Sequence, residues 1–182
     1  VIGQTPADWR YFGMGAGVHF ETGGPVSDPN GELQTFEGCA SISSSSGDLL
    51  FYTDGLEVYD ATHTLMANGS GLLGDPSSSQ SAIVVPKPQS SNFYYIFTVD
   101  DGAQVNGTHY TLVDMSLNGG LGDVVTTEKN IPLVTPTAEK IASVQKPNGY
   151  WVVTLKISGD TCYAYEVTAA GVNLTPVLSN TG

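Results

Sequence analysis

The feature that most constrains the fold is a unit of three short strand-like segments that recurs along the chain. Each unit starts with small and β-branched residues, turns into an aromatic-rich segment and ends with a third segment of alternating Tyr or Val. The first segments are "CASISSSSG" (39–47), "SAIVVPKPQSSN" (81–92) and "KIASVQKPNG" (140–149). The aromatic-rich segments after them are "DLLFYTDG", "FYYIFTVDD" and "YWVVTLKISGD". Such runs, bounded by Gly, Pro, Asn, Asp or Ser, are typical of strands, so we expect an all-β protein.

The spacing of these units favours a β-propeller. They start near residues 39, 81 and 140, about 42 and 59 residues apart, which suits propeller blades with loops of variable length. We expect blade-like repeats at 39–80, 81–139 and 140–182, after an N-terminal segment at 1–38 that forms a first blade or a closing strand. The insertion "GDVVTTEKNIPLVTPT" is a source for a fourth, outer strand of the middle repeat. A β-sandwich is the alternative, although it leaves the internal similarity unexplained.

About three repeats and an N-terminal segment do not easily close a ring, because propellers typically have 4–8 blades. An open fan of blades exposes sheet faces and strand edges, which invite pairing with other strands. We therefore expect the chain to be part of a larger propeller, in which remaining blades or other subunits cover those edges.

Composition and charge exclude some classes of function. The chain has 22 Gly and 10 Pro, and only 13% of its residues are charged, which fits short strands joined by many turns. Its formal net charge of −12 disfavours nucleic acid as a partner and suits the soluble surface of a secreted protein. No apolar run reaches transmembrane length. Cys39 and Cys162 lie in separate strand-like segments, so two buried free thiols are favoured over a disulfide.

Each aromatic-rich segment ends in an acidic turn, "FYTDG", "FTVDD" or "KISGD". Structural turns are the favoured interpretation, because Asp and Gly tolerate left-handed backbone and Asp caps local amides. A calcium site is the second interpretation, with Asp54, Asp100 and Asp101 as candidate ligands and calcium as the only cofactor considered. Catalysis is the third, because a glycosidase needs two carboxylates across a cleft. The available carboxylates are Asp54, Glu57, Asp60, Asp100, Asp101 and Asp114.

No motif in the chain assembles a catalytic or nucleotide-binding centre. The glycines of "YFGMGAGVHF" (11–20) have the spacing G-x-G-x-G, and no helix signal follows them. No serine lies in G-x-S-x-G, so we assign no catalytic residue. The segment 135–144 is the best helix candidate, although β-branched alternation begins within it. Phe93 and Trp151 are expected to be core aromatic residues of their strands.

Three stretches together carry a resemblance to a known family. They are "DWRYFGMGAGVHFETGGP", "LQTFEGCASISSSSGDLLFYTDGLEVYDATHTLMANGSGLLG" and "SSSQSAIVVPKPQSSNFYYIFTVD". These stretches resemble the N-terminal region of large secreted Bacteroidota surface proteins. Those proteins look like β-propellers attached to PKD-like repeats and a C-terminal sorting domain for gliding motility or type IX secretion. The resemblance extends from about residue 8 to residue 180.

The resemblance implies type IX secretion, an extracellular location at the bacterial cell surface and a longer native chain, and it carries no catalytic residue. We therefore expect a secreted binding or adhesion module of a larger multidomain protein, with a glycan or a protein surface as ligand and no catalysis. Two alternatives stay open. One is a fragment of a polysaccharide-active propeller of the glycosidase type, and the other is a structural subunit of a surface fibre.

Overall fold

The computed structural model describes residues 7–102 and 104–180 of the chain. Strands make up 54% of the structure and helices 4%, so the predicted all-β class is confirmed. Residues 1–6 of the expected N-terminal segment and residues 181–182 of the expected last repeat lie outside the described residues. The described strands form four antiparallel meanders, I to IV, which follow one another along the chain.

Meanders I and II comprise the first seven strands. Meander I consists of β1 (Trp9–Phe12), β2 (Ala16–Glu21) and β3 (Gly24–Asp28), paired in that order. Meander II consists of β4 (Ala40–Ser43), β5 (Leu49–Thr53), β6 (Glu57–Asp60) and β7 (Leu65–Ser70). The turns on either side of β5 contain Gly47 and Gly55, both at φ 92. Glycine adopts this left-handed backbone without the steric cost that a Cβ imposes.

Meander III contains the long insertion. It consists of β8 (Ala82–Pro86), β9 (Phe93–Val99) and β10 (Thr108–Asp114), with β11 (Asp123–Val124) and β12 (Ile131–Val134) both paired to β10. Strand β11 also pairs in parallel with β7, which joins meanders II and III into one nine-stranded sheet. Single-turn 3₁₀ helices lie at Asn118–Gly120 and Thr126–Glu128. The insertion therefore supplies outer strands, as the sequence predicted.

Meander IV ends the described chain. It consists of β13 (Thr137–Lys146), β14 (Gly149–Lys156) and β15 (Thr161–Thr168), with β16 (Gly171–Val172) and β17 (Val177–Asn180) paired to β15. The helix candidate at 135–144 is wrong, because most of this segment belongs to β13. Its β-branched residues alternate between the two faces of the sheet, and Ile141 is buried while Val144 is exposed.

Consecutive meanders pack face to face and enclose three apolar clusters. The cluster between meanders I and II is the smallest and contains Tyr11, Leu33 and Tyr52. The cluster between meanders II and III includes Ile42, Phe51, Val58, Met66, Tyr94, Ile96 and Val113. The cluster between meanders III and IV includes Val85, Tyr95, Phe97, Val99, Tyr110, Ile141, Val152 and Val167. Strand β9 contributes to both larger clusters, which explains why its sequence is an almost uninterrupted apolar run.

The prediction that Trp151 belongs to the core is wrong. Val152, its neighbour in β14, is fully buried against meander III, and successive strand residues point to opposite faces. Trp151 therefore lies on the face of meander IV that is turned away from meander III. There the Lys146 ammonium lies 5.1 Å from the centroid of the indole ring. Phe93 is partly buried and packs against the cluster between meanders III and IV.

Candidate functional site

A polar pocket opens where the first strands of the four meanders come together. Its volume is about 470 Å³, which lies within the range of small-molecule sites. Strand β1 contributes Arg10 to its lining, β13 contributes Ser143, and the remaining residues come from the beginnings of β4 and β8 and the loops before them. The polar side chains of the lining are Arg10, Glu37, Cys39, Ser41, Ser79, Gln80 and Ser143.

On one side of the pocket, small polar side chains of meander II bind the edge of β1. The Tyr11 backbone N–H donates to the Ser41 hydroxyl oxygen over 2.9 Å, and the Trp9 N–H donates to Ser43 over 3.3 Å. The Cys39 thiol donates to the Tyr11 carbonyl oxygen over 3.2 Å. These contacts satisfy buried backbone groups of an edge strand. They explain the alternating small residues at the beginning of this unit.

On the other side of the pocket, the loop before β8 binds the beginning of β13. The Ser79 N–H donates to the Glu139 carboxylate over 3.0 Å, and the Ser79 hydroxyl donates to the Glu139 carbonyl over 3.2 Å. The Ile141 N–H donates to the Gln80 side-chain oxygen over 3.3 Å. The hydrogen bond from Ser79 N–H is the main reason that the pKa of Glu139 lies below its usual value.

Arg10 gives the pocket its positive charge. It is the only arginine in the chain, and its guanidinium makes no hydrogen bond or ion pair with the described residues. Burial raises the pKa of the nearby Cys39 thiol, the charge of Asp54 raises it further, and the charge of Arg10 opposes that rise. Cys39 and Cys162 are free thiols, and both are half-buried where the sequence analysis expected buried residues.

The first predicted calcium ligand, Asp54, caps the turn after β5. Its Oδ1 atom accepts hydrogen bonds from the Leu56 N–H over 2.9 Å and from the Glu57 N–H over 2.8 Å. The Asp54 residue is buried, with 7% of its area exposed. Strands β4 and β5 pair with Ala40 opposite Thr53, so this turn lies at the end of the meander where β4 begins.

The other two predicted ligands lie in the turn after β9. Asp100 is buried and accepts hydrogen bonds from the backbone N–H groups of Asp101 and Asn106, over 2.9 and 3.0 Å. Asp101 accepts a bond from the Gly102 N–H over 2.6 Å, and Glu139 accepts a second, longer bond of 3.3 Å from the same group. Asp101 thus lies beside Glu139, which the sequence analysis did not single out.

The remaining predicted carboxylates are divided between the two ends of the strands. Glu57 accepts a hydrogen bond from the Tyr59 hydroxyl close to the Asp54 turn. Asp60 and Asp114 end the third strands of their meanders, at the opposite end, and accept hydrogen bonds from Thr62 and Ser116. Within the described residues, no three His, Cys, Asp or Glu side chains are placed to share a metal ion. The calcium assignment of Asp54, Asp100 and Asp101 stays a prediction.

Comparison with protein-family models, with curated proteins and with solved structures found no match to this chain. In the part of the chain that the structure describes, no helix has the length and apolar character needed to cross a membrane.

Proposed function

We propose that this chain is a binding module of a bacterial cell-surface protein, and that its four meanders are successive blades of a β-propeller. The pocket at the first strands is the proposed ligand site, and a glycan is the proposed ligand. The observation that carries the proposal is the convergence of polar side chains from all four meanders on this one pocket. An extracellular location is part of the proposal and is supported by the resemblance and by the acidic composition.

The order of packing supports the propeller over the β-sandwich. A sandwich consists of two sheets packed on each other, whereas these meanders pack in chain order, I on II, II on III and III on IV. The first strands of successive meanders are also neighbours, with β1 beside β4, β4 beside β8 and β8 beside β13. A propeller has this arrangement, because its innermost strands surround a common axis.

The chemistry of the lining supports a glycan. Hydroxyl and amide groups of Ser41, Ser79, Gln80 and Ser143 donate and accept hydrogen bonds, as sugar hydroxyls do. Arg10 adds charged donors in a planar fork. A few polar groups that converge in a concave site fix the orientation of a small ligand. The strands that carry these groups form a rigid scaffold, on which recognition loops are commonly placed.

The test is binding of the purified chain to an array of bacterial and plant polysaccharides, followed by calorimetry on each hit. We expect Arg10→Ala and Ser143→Ala each to weaken binding by about tenfold or more, equivalent to about 1.4 kcal/mol. Both side chains are exposed, so neither change is expected to unfold the protein. Lys87→Ala is the control outside the pocket. Full binding by both pocket variants, or no binding to any glycan, would overturn the proposal, and release of new reducing ends would favour the glycosidase alternative.

A further inference from the structure

One face of meander IV is apolar and uncovered. We call it the outer face of meander IV. Its apolar residues are Ala142, Val144, Trp151, Val153, Leu155, Cys162, Ala164 and Val177, and the Lys146–Glu166 ion pair lies beside Trp151 at its edge. The strand registers place these residues together, since Val144 lies opposite Trp151, Val153 opposite Ala164 and Leu155 opposite Cys162. Val144 is 58% exposed and Val177 is 57% exposed. Shallow apolar grooves of about 320 and 220 Å³ cross this face.

The outer face of meander IV repeats, strand by strand, a face that is buried elsewhere in the same chain. In meander III the second strand places Tyr95, Phe97 and Val99 against meander IV, and all three are almost fully buried. In meander IV the corresponding second-strand residues are Trp151, Val153 and Leu155. The outer face of meander IV therefore has the same kind of apolar residues as the face of meander III on which meander IV packs.

A second uncovered face lies at the other end of the stack. We call it the inner face of meander I, and its apolar residues are Phe12, Ala16, Val18, Phe20 and Pro25. The registers place Arg10 opposite Val18, Phe12 opposite Ala16 and Phe20 opposite Pro25. Phe12 is 44% exposed and Phe20 is 50% exposed. Tyr11 points the other way and packs against meander II.

We propose that the outer face of meander IV binds the inner face of meander I of a second copy of this chain, head to tail. Within one chain, each meander packs with one face on the meander before it and with its other face on the meander after it. A second copy that continues this order covers both uncovered faces and continues an interface that the chain already forms between III and IV. Two copies give eight meanders, which is within the usual range of propeller blade numbers.

Charge also favours this pairing over two copies of meander I facing each other. Half of the basic residues of the chain lie on meander IV, where they equal the acidic residues in number; the residues are Lys140, Lys146, Lys156, Glu139, Asp160 and Glu166. The region around meander I is acidic, with Asp8, Glu21, Asp28, Glu32 and Glu37 against Arg10. An acidic partner is therefore better matched to meander IV than an acidic surface is to itself.

This inference rests on the proposed stacking of blades and not on the glycan, so the two can fail separately. The first measurement is the mass of the purified chain by light scattering and by analytical ultracentrifugation. We expect a species of twice the chain mass, and we expect Val153→Asp to convert it to monomer. Leu65→Asp, a change at an exposed apolar residue of meander II, is the matched control and is expected to leave the dimer intact. Circular dichroism verifies that both variants are folded.

A cysteine scan identifies the faces that meet. Cys162 lies on the outer face of meander IV, so Cys39→Ser is combined with Val18→Cys or, as the control, Ala67→Cys. We expect oxidation to cross-link copies between positions 18 and 162, and not between 67 and 162. A monomer at all concentrations would overturn the proposal. The outer face of meander IV would then be available to a sheet of another polypeptide or of a longer chain. A dimer linked between two copies of Cys162 would overturn it in favour of a symmetric contact.

Discussion

The backbone N–H of Tyr11 donates a hydrogen bond to the Ser41 hydroxyl over 2.9 Å, in the buried seam between meanders I and II. Ser41→Ala removes the acceptor and leaves this N–H without a partner in a water-poor seam. We therefore expect a loss of about 1–3 kcal/mol in the free energy of unfolding. Urea denaturation measures this loss. Ser46→Ala, at an exposed serine of the same run, is expected to change stability by less than about 0.5 kcal/mol. Equal effects of the two changes would contradict the role given to Ser41.

Gly38 lies where the loop before β4 meets the loop before β8. A Cβ atom at this position would overlap the backbone nitrogen of Ser81 and would lie 2.7 Å from the Ser78 carbonyl oxygen. Both contacts are with backbone, which cannot rotate away as a flexible side chain can. We expect Gly38→Ala to destabilise the protein by about 1–3 kcal/mol, as overpacking generally does. Gly23→Ala is the control, because its Cβ would meet no atom within 4 Å, and thermal unfolding of the two variants tests the difference.

Phe97 and Trp151 are aromatic residues of equivalent second strands in very different environments. Phe97 is fully buried between meanders III and IV, so Phe97→Ala is expected to cost about 3–5 kcal/mol. Trp151 lies on the outer face of meander IV, so Trp151→Ala is expected to cost about 1 kcal/mol or less in the isolated chain. Urea denaturation at low protein concentration compares the two stability losses in the monomer, without a contribution from the proposed dimer. A large loss for Trp151→Ala would mean that its face is already covered.

Trp151 also shows why the sequence did not determine which face of this strand is buried. In "YWVVTLK" the residues of both alternating sets are apolar, with Tyr150 and Val152 in one set and Trp151 and Val153 in the other. Alternation places residues on one face or the other only when one of the faces is polar. The pattern therefore predicted a strand correctly but left its orientation undetermined. Only the packing of meander III on Val152 decides it.

The pocket was less predictable than the fold. The strands follow from local runs of β-branched and aromatic residues, whereas the pocket depends on contacts between residues far apart in the chain. Ser79 and Glu139 are 60 residues apart, and the sequence analysis assigned a role to neither residue. Arg10 belongs to no motif. Its one distinguishing signal was that it is the only arginine in the chain.

A substitution at Asp54 can distinguish between the two interpretations of this residue, a structural turn and a calcium site. Its Oδ1 atom accepts two backbone N–H groups, so Asp54→Ala is expected to cost about 0.5–2 kcal/mol, as the loss of a cap does. Asp54→Asn retains an oxygen acceptor and is expected to stay close to the wild type. If the predicted calcium site forms, calcium should raise the melting temperature of the wild type and not that of Asp54→Asn. An equal response of both proteins to calcium would remove Asp54 from the ligand set.

His109 is expected to make stability depend on pH near neutrality. It is buried in β10, with 8% of its area exposed, and its Nδ1 atom has no hydrogen-bond partner among the described residues. Burial lowers the pKa of His109 below its usual value of 6.5, although the charge of Asp100 opposes this shift. The unfolded chain therefore binds a proton more readily than the folded chain between the folded pKa and 6.5.

The contribution of His109 to stability is consequently complete above pH 6.5 and is lost as the pH falls through the folded pKa. The loss is at most about 1.4 kcal/mol for each pH unit in that window. His109→Gln carries no titrating group, so its free energy of unfolding should fall less between pH 7.5 and 5.5 than that of the wild type. The same slope in the wild type and in His109→Gln would show that His109 accepts its proton without loss of the fold.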